Sequence, residues 1–202
     1  MIKDEVIPLP GYRMCEYMLV LQPHEDLKNR ILQVKKEFAT KFEAPQAERG
    51  KPNIPLVRFK QLQLLEPRLV NRFKMIAMAI PPFKVELRNF GSFPAHSIYI
   101  DVESKAALEM VGKSLRPAQQ LMKANDQKPH FYEHAHITVA RNLLPWQFEK
   151  SWLEYSHKQF TGRFIAKDML LLRKPEGMLN FQVIHRFEFL NMPVLTTQGA
   201  LF

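Results

Sequence analysis

Hydrophobic residues recur along the chain with two periods, which predict alternating helices and strands. Leu27, Ile31 and Phe38 are spaced as on one face of a helix. Residues 83–88 instead alternate apolar and charged side chains, as in a half-buried strand. Together with the prolines and glycines, these patterns predict strands at 14–21, 54–59, 83–88, 96–102, 135–140, 163–173 and 180–190. Helices are predicted at 24–42 and 67–80, and from Ser104 and Pro145 onward.

The order of the elements repeats after the first strand. A shift of 83 residues places Asn53 on His136 and Arg58 on Arg141. We therefore predict one two-lobed domain over residues 1–202, with repeats at about 24–102 and 104–190 and strand 14–21 completing a sheet. The predicted fold class is α+β, with duplicated α-β-α-β-β lobes and two antiparallel sheets around a central cleft. Each lobe is expected to form its own sheet, with the helices on the outer faces.

Composition narrows the class of protein. The 202 residues are 46% hydrophobic, which is enough for a packed core. The longest apolar run, Met75 to Phe83, is far shorter than the roughly 18 residues of a membrane span. The start MIKDEVIPLPG lacks the pattern of a signal peptide, and the single Cys15 excludes an internal disulfide. We expect a cytoplasmic protein that does not associate with membranes.

The chain is basic, with a formal net charge of +9. This charge favours an anionic partner such as a phosphate ester or a nucleic acid. Between Arg49 and Lys74 there are seven basic residues and one acid, Glu66. Such a run forms either a solvated face beside a helix or the electrostatic flank of a site.

The short strand 135–140 carries the residues best suited to phosphate-ester chemistry. His136 and Thr138 are two apart and therefore share a face, which His134 joins if the strand starts early. An imidazole can give or take a proton near neutral pH, and a hydroxyl can hydrogen-bond a phosphate oxygen. A lone His-x-Thr also arises by chance, as a half-buried histidine bonded to backbone beside a threonine with high β propensity.

The segments PHFYEHAHITVARNL, KPNIPLVRF and FPAHSIYIDV together resemble the two-histidine phosphoesterase superfamily. That superfamily includes the 2′-5′ RNA ligase-like proteins and the cyclic phosphodiesterases. The resemblance covers most of the chain and implies two H-x-[ST] strands facing each other across a basic groove. It implies that one histidine acts as base and the other as acid on a 2′,3′-cyclic phosphate or a 2′-5′ linkage of a nucleotide or RNA end. It implies no metal and no cofactor, and no obligate protein partner is evident.

The first motif departs from this pattern. The resemblance assigns His136 and Thr138 to the second motif as catalytic residues, whereas the first falls on Asn53-Ile54-Pro55. Asn53 cannot shuttle protons near neutral pH, and Pro55 offers neither a hydroxyl nor an N–H. Two readings follow: a protein that binds a phosphorylated ligand with impaired turnover, or an enzyme in which another residue replaces the missing histidine. His96 and His130 are the candidates for that replacement.

The remaining candidate residues are assigned to substrate binding. They are Asn53, Arg58, Arg141, His96, His134 and Lys51. His96 is expected to begin a strand, with the Ser97 hydroxyl on the opposite face. By strand parity, Arg58 and Arg141 lie on the face opposite His136 unless a bulge intervenes, so they are either groove residues or structural ion-pair partners.

Two alternatives to a phosphoesterase follow from the same residues. A non-catalytic nucleotide- or RNA-binding module would also use the positive charge, with aromatic side chains to stack on bases. A metal site is suggested only by the His-x-His spacing of His134 and His136, for which no third ligand is evident.

Overall fold

The structure of the protein, a computed structural model, describes residues 11–192. Its strands are β1 (Met14–Leu21), β2 (Ile54–Leu62), β3 (Phe83–Phe93), β4 (Ser97–Val102), β5 (His130–Phe131), β6 (His136–Arg141), β7 (Thr161–Ala166), β8 (Asp168–Pro175) and β9 (Gln182–Glu188). Its α-helices are α1 (Glu25–Lys41), α2 (Glu66–Ala79), α3 (Lys105–Leu115), α4 (Gln119–Met122) and α5 (Pro145–Tyr155). Single 3₁₀ turns lie at Pro45–Glu48, Gln63–Leu65 and Arg116–Ala118.

The strands form two antiparallel sheets, which confirms the predicted α+β class. The first sheet has the order β5-β2-β1-β8-β9, and the second has the order β6-β4-β3-β7. Local sequence explains where several helices begin. His24 accepts a hydrogen bond from the backbone N–H of Leu27 and so caps α1, whose first turn carries Glu25 and Asp26. Pro67 lies in the first turn of α2, where its missing N–H has no cost.

The expectation that each repeat forms its own sheet is wrong. Strand β2 lies in the first sheet, whereas the hairpin β3–β4 that follows it pairs with β6 and β7 in the second. The predicted strand 163–173 is also two strands, β7 and β8, which lie in different sheets on either side of Lys167. A continuous β pattern carries no signal for such a switch, because both segments have the same local preference.

The 83-residue offset nevertheless relates one more pair of elements, the strands β1 and β4, in addition to the repeated helices and hairpins. Strand β4 begins 83 residues after β1. Strand β1 pairs with β2, and β4 pairs with β6; we call β2 and β6, which carry or follow the two predicted motifs, the motif strands. The two halves of the molecule are therefore built around equivalent pairs, β1–β2 and β4–β6. The division of the sequence into repeats at about 24–102 and 104–190 stays a prediction.

One continuous core lies between the helices and one face of each sheet. On β1 the side chains of Tyr17 and Leu19 are fully buried, while the intervening Met18 is only half-buried. Phe73 of α2 packs against Phe59 of β2, and burying each ring stabilises the fold by roughly 1.5–3 kcal/mol. The opposite face of each sheet is half-exposed, apart from a small buried cluster of Val20, Leu170 and Leu172 on the first sheet. We call the face with Glu16 and Arg58 the first-sheet face and the face with His136 and Thr138 the second-sheet face.

Both motif strands carry a β-bulge at the same repeat position. Leu56 has no partner in the β1–β2 register, and Val139 has none in the β4–β6 register. These two residues are 83 positions apart in the sequence. A bulge inserts one extra residue into a strand, so the side chains after it change face relative to simple alternation.

Candidate active site

His136 and Thr138 lie on the second-sheet face, as their spacing predicts. Both side chains are half-buried, whereas Ile137 and Val139 between and beyond them are buried in the core. Alternation of burial along β6 thus places the imidazole and the hydroxyl side by side.

The bulge at Val139 brings Arg141 to this same face. Simple parity places Arg141 opposite His136 unless a bulge intervenes, and here the bulge does intervene: Val139 and Ala140 are both buried, and Arg141 is exposed beyond them. The same correction applies to Arg58 on β2, which is exposed beyond the buried pair Leu56 and Val57. Each motif strand therefore presents a guanidinium on its half-exposed face.

Aromatic rings surround the second-motif histidines. The Tyr99 ring centroid lies 5.0 Å from that of His136 and 5.1 Å from that of His134. Phe93 lies 5.1 Å from His136 in an edge-on arrangement. Gly91 makes room for this cluster, because a Cβ there would lie 2.6 Å from Tyr99 Cζ, well inside van der Waals contact.

The orientation and tautomer of His136 follow from one hydrogen bond. Its Nδ1 lies 2.8 Å from the carbonyl oxygen of His134. A carbonyl only accepts, so Nδ1 carries the hydrogen and Nε2 keeps its lone pair in the neutral ring. Burial lowers the pKa of His136 below its ordinary value, and nearby His134 lowers it further, against the opposing effects of the His134 carbonyl and Asp101. The neutral ring can therefore act as a base at Nε2 at neutral pH.

His134 joins His136 although it precedes the first residue of β6. The two rings are nearly parallel, with centroids 5.8 Å apart and an interplanar angle of 27°. His134 Nε2 lies 3.4 Å from Asp101 Oδ1, and this nitrogen is buried without a hydrogen bond of good geometry. Asp101 Oδ1 also accepts the backbone N–H of Val102 at 2.9 Å, which fixes the carboxylate.

The first motif lies beside the second but differs in its side chains. Strands β2 and β6 are in contact, and β5, which leads through residues 132–135 into β6, pairs with β2; the backbone N–H of Tyr132, directly after β5, donates to the Leu56 carbonyl at 3.0 Å. Asn53 is half-buried immediately before β2, and Lys51 is exposed. The position equivalent to Thr138 is Pro55, which is half-buried.

A buried lysine holds the segment that leads into the first motif. Lys35 of α1 donates to the carbonyls of Arg49 and Gly50 at 2.9 and 2.7 Å. Burial lowers the pKa of Lys35 to about 8, and the charge of Arg141 lowers it in the same direction. The positive charge of Arg141 thus acts on the lysine that holds the segment before the first motif.

Arg58 is an ion-pair partner on the first-sheet face. Its guanidinium pairs with the Glu16 carboxylate, which also accepts from Lys174 Nζ at 2.7 Å. Burial would raise the pKa of Glu16, but the hydrogen bonds from Lys174 and Arg58 outweigh it and lower the pKa below its ordinary value. Glu16 thus pairs with two cations that could otherwise attract a phosphate.

His96 and His130 do not reproduce the missing histidine. His96 lies in the turn between β3 and β4 rather than at the start of a strand, because β3 continues through Gly91 to Phe93. Its Nδ1 is 2.6 Å from Ser97 Oγ, and its ring stacks on Phe93 at 6.4 Å. His130 is exposed on β5, a two-residue strand at the edge of the first sheet.

The basic segment 49–74 is divided between two surfaces. Arg58 and Lys60 are on the first-sheet face, whereas Arg68 and Arg72 are exposed on α2. Helix α2 packs through Phe73 on the core side of β2, so its cations point away from the motif strands. Only part of this segment can contribute to a site at the motifs.

The motif patterns in the sequence do not single out three residues of this cluster: Tyr99, Asp101 and Gly91. Alternation along β4 could have placed Tyr99 and Asp101 on one face, in register with Thr138 and His136 of β6. Among residues 11–192, no three His, Cys, Asp or Glu side chains are grouped as metal ligands would be. No helix in the described part of the chain is long and apolar enough to cross a membrane.

Solved structures define the class of fold. The structure of TT0787 from Thermus thermophilus superposes with a TM-score of 0.62 at 17% identity, covering 87% of this chain and 98% of that one. The structure of Escherichia coli LigT in complex with 3′-AMP superposes with a TM-score of 0.59 at 13% identity, covering 88% and 98% of the two chains. A structure described as a phosphoesterase gives 0.56 at 12% identity, covering 86% and 98%. The chain therefore has the LigT-like α+β fold.

Sequence comparison identifies the family. The model of the 2′-5′ RNA ligase superfamily matches residues 23–177, which include both motif strands. The chain belongs to this superfamily, which confirms the resemblance to two-histidine phosphoesterases. A search of curated proteins gives no significant match.

Proposed function

We propose that this protein binds the phosphate of a nucleotide or RNA 2′,3′-cyclic phosphodiester on the second-sheet face and opens it slowly without a metal. His136 is the acid/base, Thr138 hydrogen-bonds a phosphate oxygen, and Arg141 supplies the positive charge. The observation that carries the proposal is the hydrogen bond from His136 Nδ1 to the His134 carbonyl, which leaves Nε2 free to exchange a proton. The resemblance assigns the same roles to His136 and Thr138.

A nucleotide ligand is supported by the structural relatives. The LigT structures are described as complexes with 3′-AMP, NADP+, ATP and phosphate. These ligands share phosphate groups, and the Arg141 guanidinium on the half-exposed second-sheet face can attract such a group. RNA is proposed as a ligand on chemical grounds, since a cyclic phosphate at an RNA end presents the same reacting group.

The first motif has a binding role in this proposal. Asn53 can hydrogen-bond a ligand, and Lys51 adds charge beside it. Arg58 contributes less because Glu16 already neutralises it. His96, at the rim of the aromatic cluster, contacts the nucleoside part of the ligand. General acid or base catalysis contributes about 10²–10⁴-fold, so the absence of the first-motif histidine impairs turnover to the extent that no other side chain exchanges the second proton.

The alternative is a nucleotide- or RNA-binding module without turnover, which the Asn53-Ile54-Pro55 sequence favours. One experiment separates the two. Hydrolysis of nucleoside 2′,3′-cyclic phosphates and binding of 3′-AMP are measured for the wild type and for His136→Ala. An enzyme shows turnover that His136→Ala reduces by about 10²–10⁴-fold. Salt-sensitive binding by both proteins without turnover indicates a binding module. Absence of both binding and turnover contradicts the proposed function.

A further inference from the structure

We infer that His134, held by Asp101, is the second proton-transfer residue and takes the place of the histidine missing from the first motif. This inference rests on the proposed function. It differs from the two-strand arrangement that the resemblance implies, because both histidines come from the same segment of chain.

The first argument is the geometry of the two rings. The His134 and His136 centroids are 5.8 Å apart, and the planes are nearly parallel. In displacement at phosphorus, the entering and leaving oxygens lie roughly in line on opposite sides of the phosphorus. Two parallel rings side by side along one strand can each reach one of these oxygens. Neither His96, in a turn with Nδ1 bonded to Ser97, nor His130, on the edge of the other sheet, has this relation to His136.

The second argument is the environment of His134 Nε2. This nitrogen is buried without a hydrogen bond, and an acceptor, Asp101 Oδ1, lies 3.4 Å from it. A small rotation of the ring closes this gap and gives Nε2–H an acceptor. Nδ1 is then the nitrogen that exchanges a proton with the ligand. A buried polar atom without a partner is costly, which favours the pairing of His134 Nε2 with Asp101 and leaves Nδ1 for the ligand.

The two histidines have complementary tasks in ring opening. His136 Nε2 takes a proton from water as the water oxygen forms a bond to phosphorus. His134 enters this step as the imidazolium, with Nε2–H on Asp101; the bond from phosphorus to one ribose oxygen breaks, and His134 Nδ1–H gives that oxygen its proton, which leaves the ring neutral. One water is consumed, no electron is transferred, and exchange with solvent restores both rings. The other titratable groups facing the pair are Asp101 and Tyr99, and burial and Asp101 raise the pKa of Tyr99 so that it stays protonated.

The test measures kcat, KM and the pH-rate profile on a nucleoside 2′,3′-cyclic phosphate for four variants. His134→Ala is expected to lower kcat by about 10²-fold or more with little change in KM, and to remove one limb of the profile. Added imidazole should restore part of its activity. Asp101→Asn should lower kcat less than His134→Ala and displace the same limb. His157→Ala, an exposed histidine after α5, is the matched control and should retain wild-type kcat.

The outcomes separate this inference from the proposed function. Loss of activity in His136→Ala, the fourth variant, with an unchanged kcat and both limbs in His134→Ala overturns the role of His134 and leaves the proposed function standing. A wild type that binds 3′-AMP but turns over no cyclic phosphate also overturns the inference. If His134→Ala unfolds, as shown by its thermal midpoint, His134→Gln, which keeps a polar side chain of similar size, gives the same comparison.

Discussion

The two motif strands have the same backbone and present different chemistry. Each carries a bulge at the equivalent residue, Leu56 on β2 and Val139 on β6, and an arginine two residues later. The motif positions of β6 are His136 and Thr138, whereas the equivalent residues are Asn53, just before β2, and Pro55 on β2. The comparison shows that the repeated fold depends on the buried and bulged residues, which leaves the residues of the half-exposed face free to diverge.

The strands that pair with the motif strands, β4 beside β6 and β1 beside β2, also carry different side chains at equivalent positions. Tyr99 of β4 packs against the histidines, and the equivalent position on β1 is Glu16, which pairs with Arg58 and Lys174. The second-sheet face thus surrounds a half-buried titratable pair with aromatic rings. The first-sheet face instead carries an ion-pair network in which one carboxylate, Glu16, pairs with two cations. We therefore assign proton transfer to the second-sheet face and only binding to the first.

Gly91→Ala is expected to change the second-sheet face most, with a loss of both stability and kcat. The new Cβ would overlap the Tyr99 ring, and overpacking of this kind costs about 1–3 kcal/mol of stability. Displacement of Tyr99 also moves the histidine rings that contact it, so kcat on a cyclic phosphate falls with stability. Denaturant unfolding and steady-state kinetics measure the two effects. The control is Gly112→Ala on α3, where a Cβ meets nothing within 4 Å. Equal behaviour of both variants would contradict the packing argument.

Restoring the first-motif histidine tests whether a side chain at position 53 can exchange a proton in the reaction together with His136. Asn53→His is expected to raise kcat by about tenfold or less, well below the 10²–10⁴-fold typical of a newly supplied acid or base, because His134 already provides the second proton-transfer group. A rise of about 10³-fold would show that the wild type lacks a second group. Steady-state kinetics with the His134→Ala background as a comparison resolve these cases.

Removing the carboxylate that pairs with Arg58 and Lys174 on the first-sheet face should have a smaller effect, on ligand binding only. Glu16→Gln removes the carboxylate that binds Arg58 and Lys174, and we expect a few-fold tighter binding of 3′-AMP at low salt. Glu188→Gln, on the exposed edge strand β9, is the matched charge control. Calorimetric titration at two salt concentrations measures the change. Weaker binding in Glu16→Gln alone would show that the ion-pair network positions the ligand.

The smallest expected effect is a displacement of the acid limb of the pH-rate profile. The pKa of His136 lies below its ordinary value of about 6.5, so its neutral, basic form persists to lower pH than in a free histidine. Activity should therefore stay constant as the pH falls through about 6.5 and decline only below it. A limb at or above about 6.5 would show that the titrating base is not the buried His136.

The helices, most strands and the second-motif residues can be predicted from local sequence patterns. The bulges and the pairing of strands between sheets depend on contacts between distant segments. The face shared by His136 and Thr138 follows from strand alternation, and helix α2 follows from the apolar spacing after Pro67. The bulges could not be predicted, because Leu56 and Val139 are ordinary strand residues whose lack of a partner depends on β1 and β4. The exchange of strands between sheets is likewise a property of long-range pairing.

The seven histidines of the chain provide the most direct test of the central claim, that the ligand phosphate binds beside His134 and His136. The measurement is an NMR titration of the histidine ring resonances with 3′-AMP, assigned through single substitutions. We predict that the resonances of His134 and His136 shift together in a saturable manner, while that of His24 does not. His24 lines a separate groove of about 700 Å³ together with Arg30 and Arg163. Saturable shifts at His24 with none at His134 and His136 would place the phosphate in that groove and contradict the account.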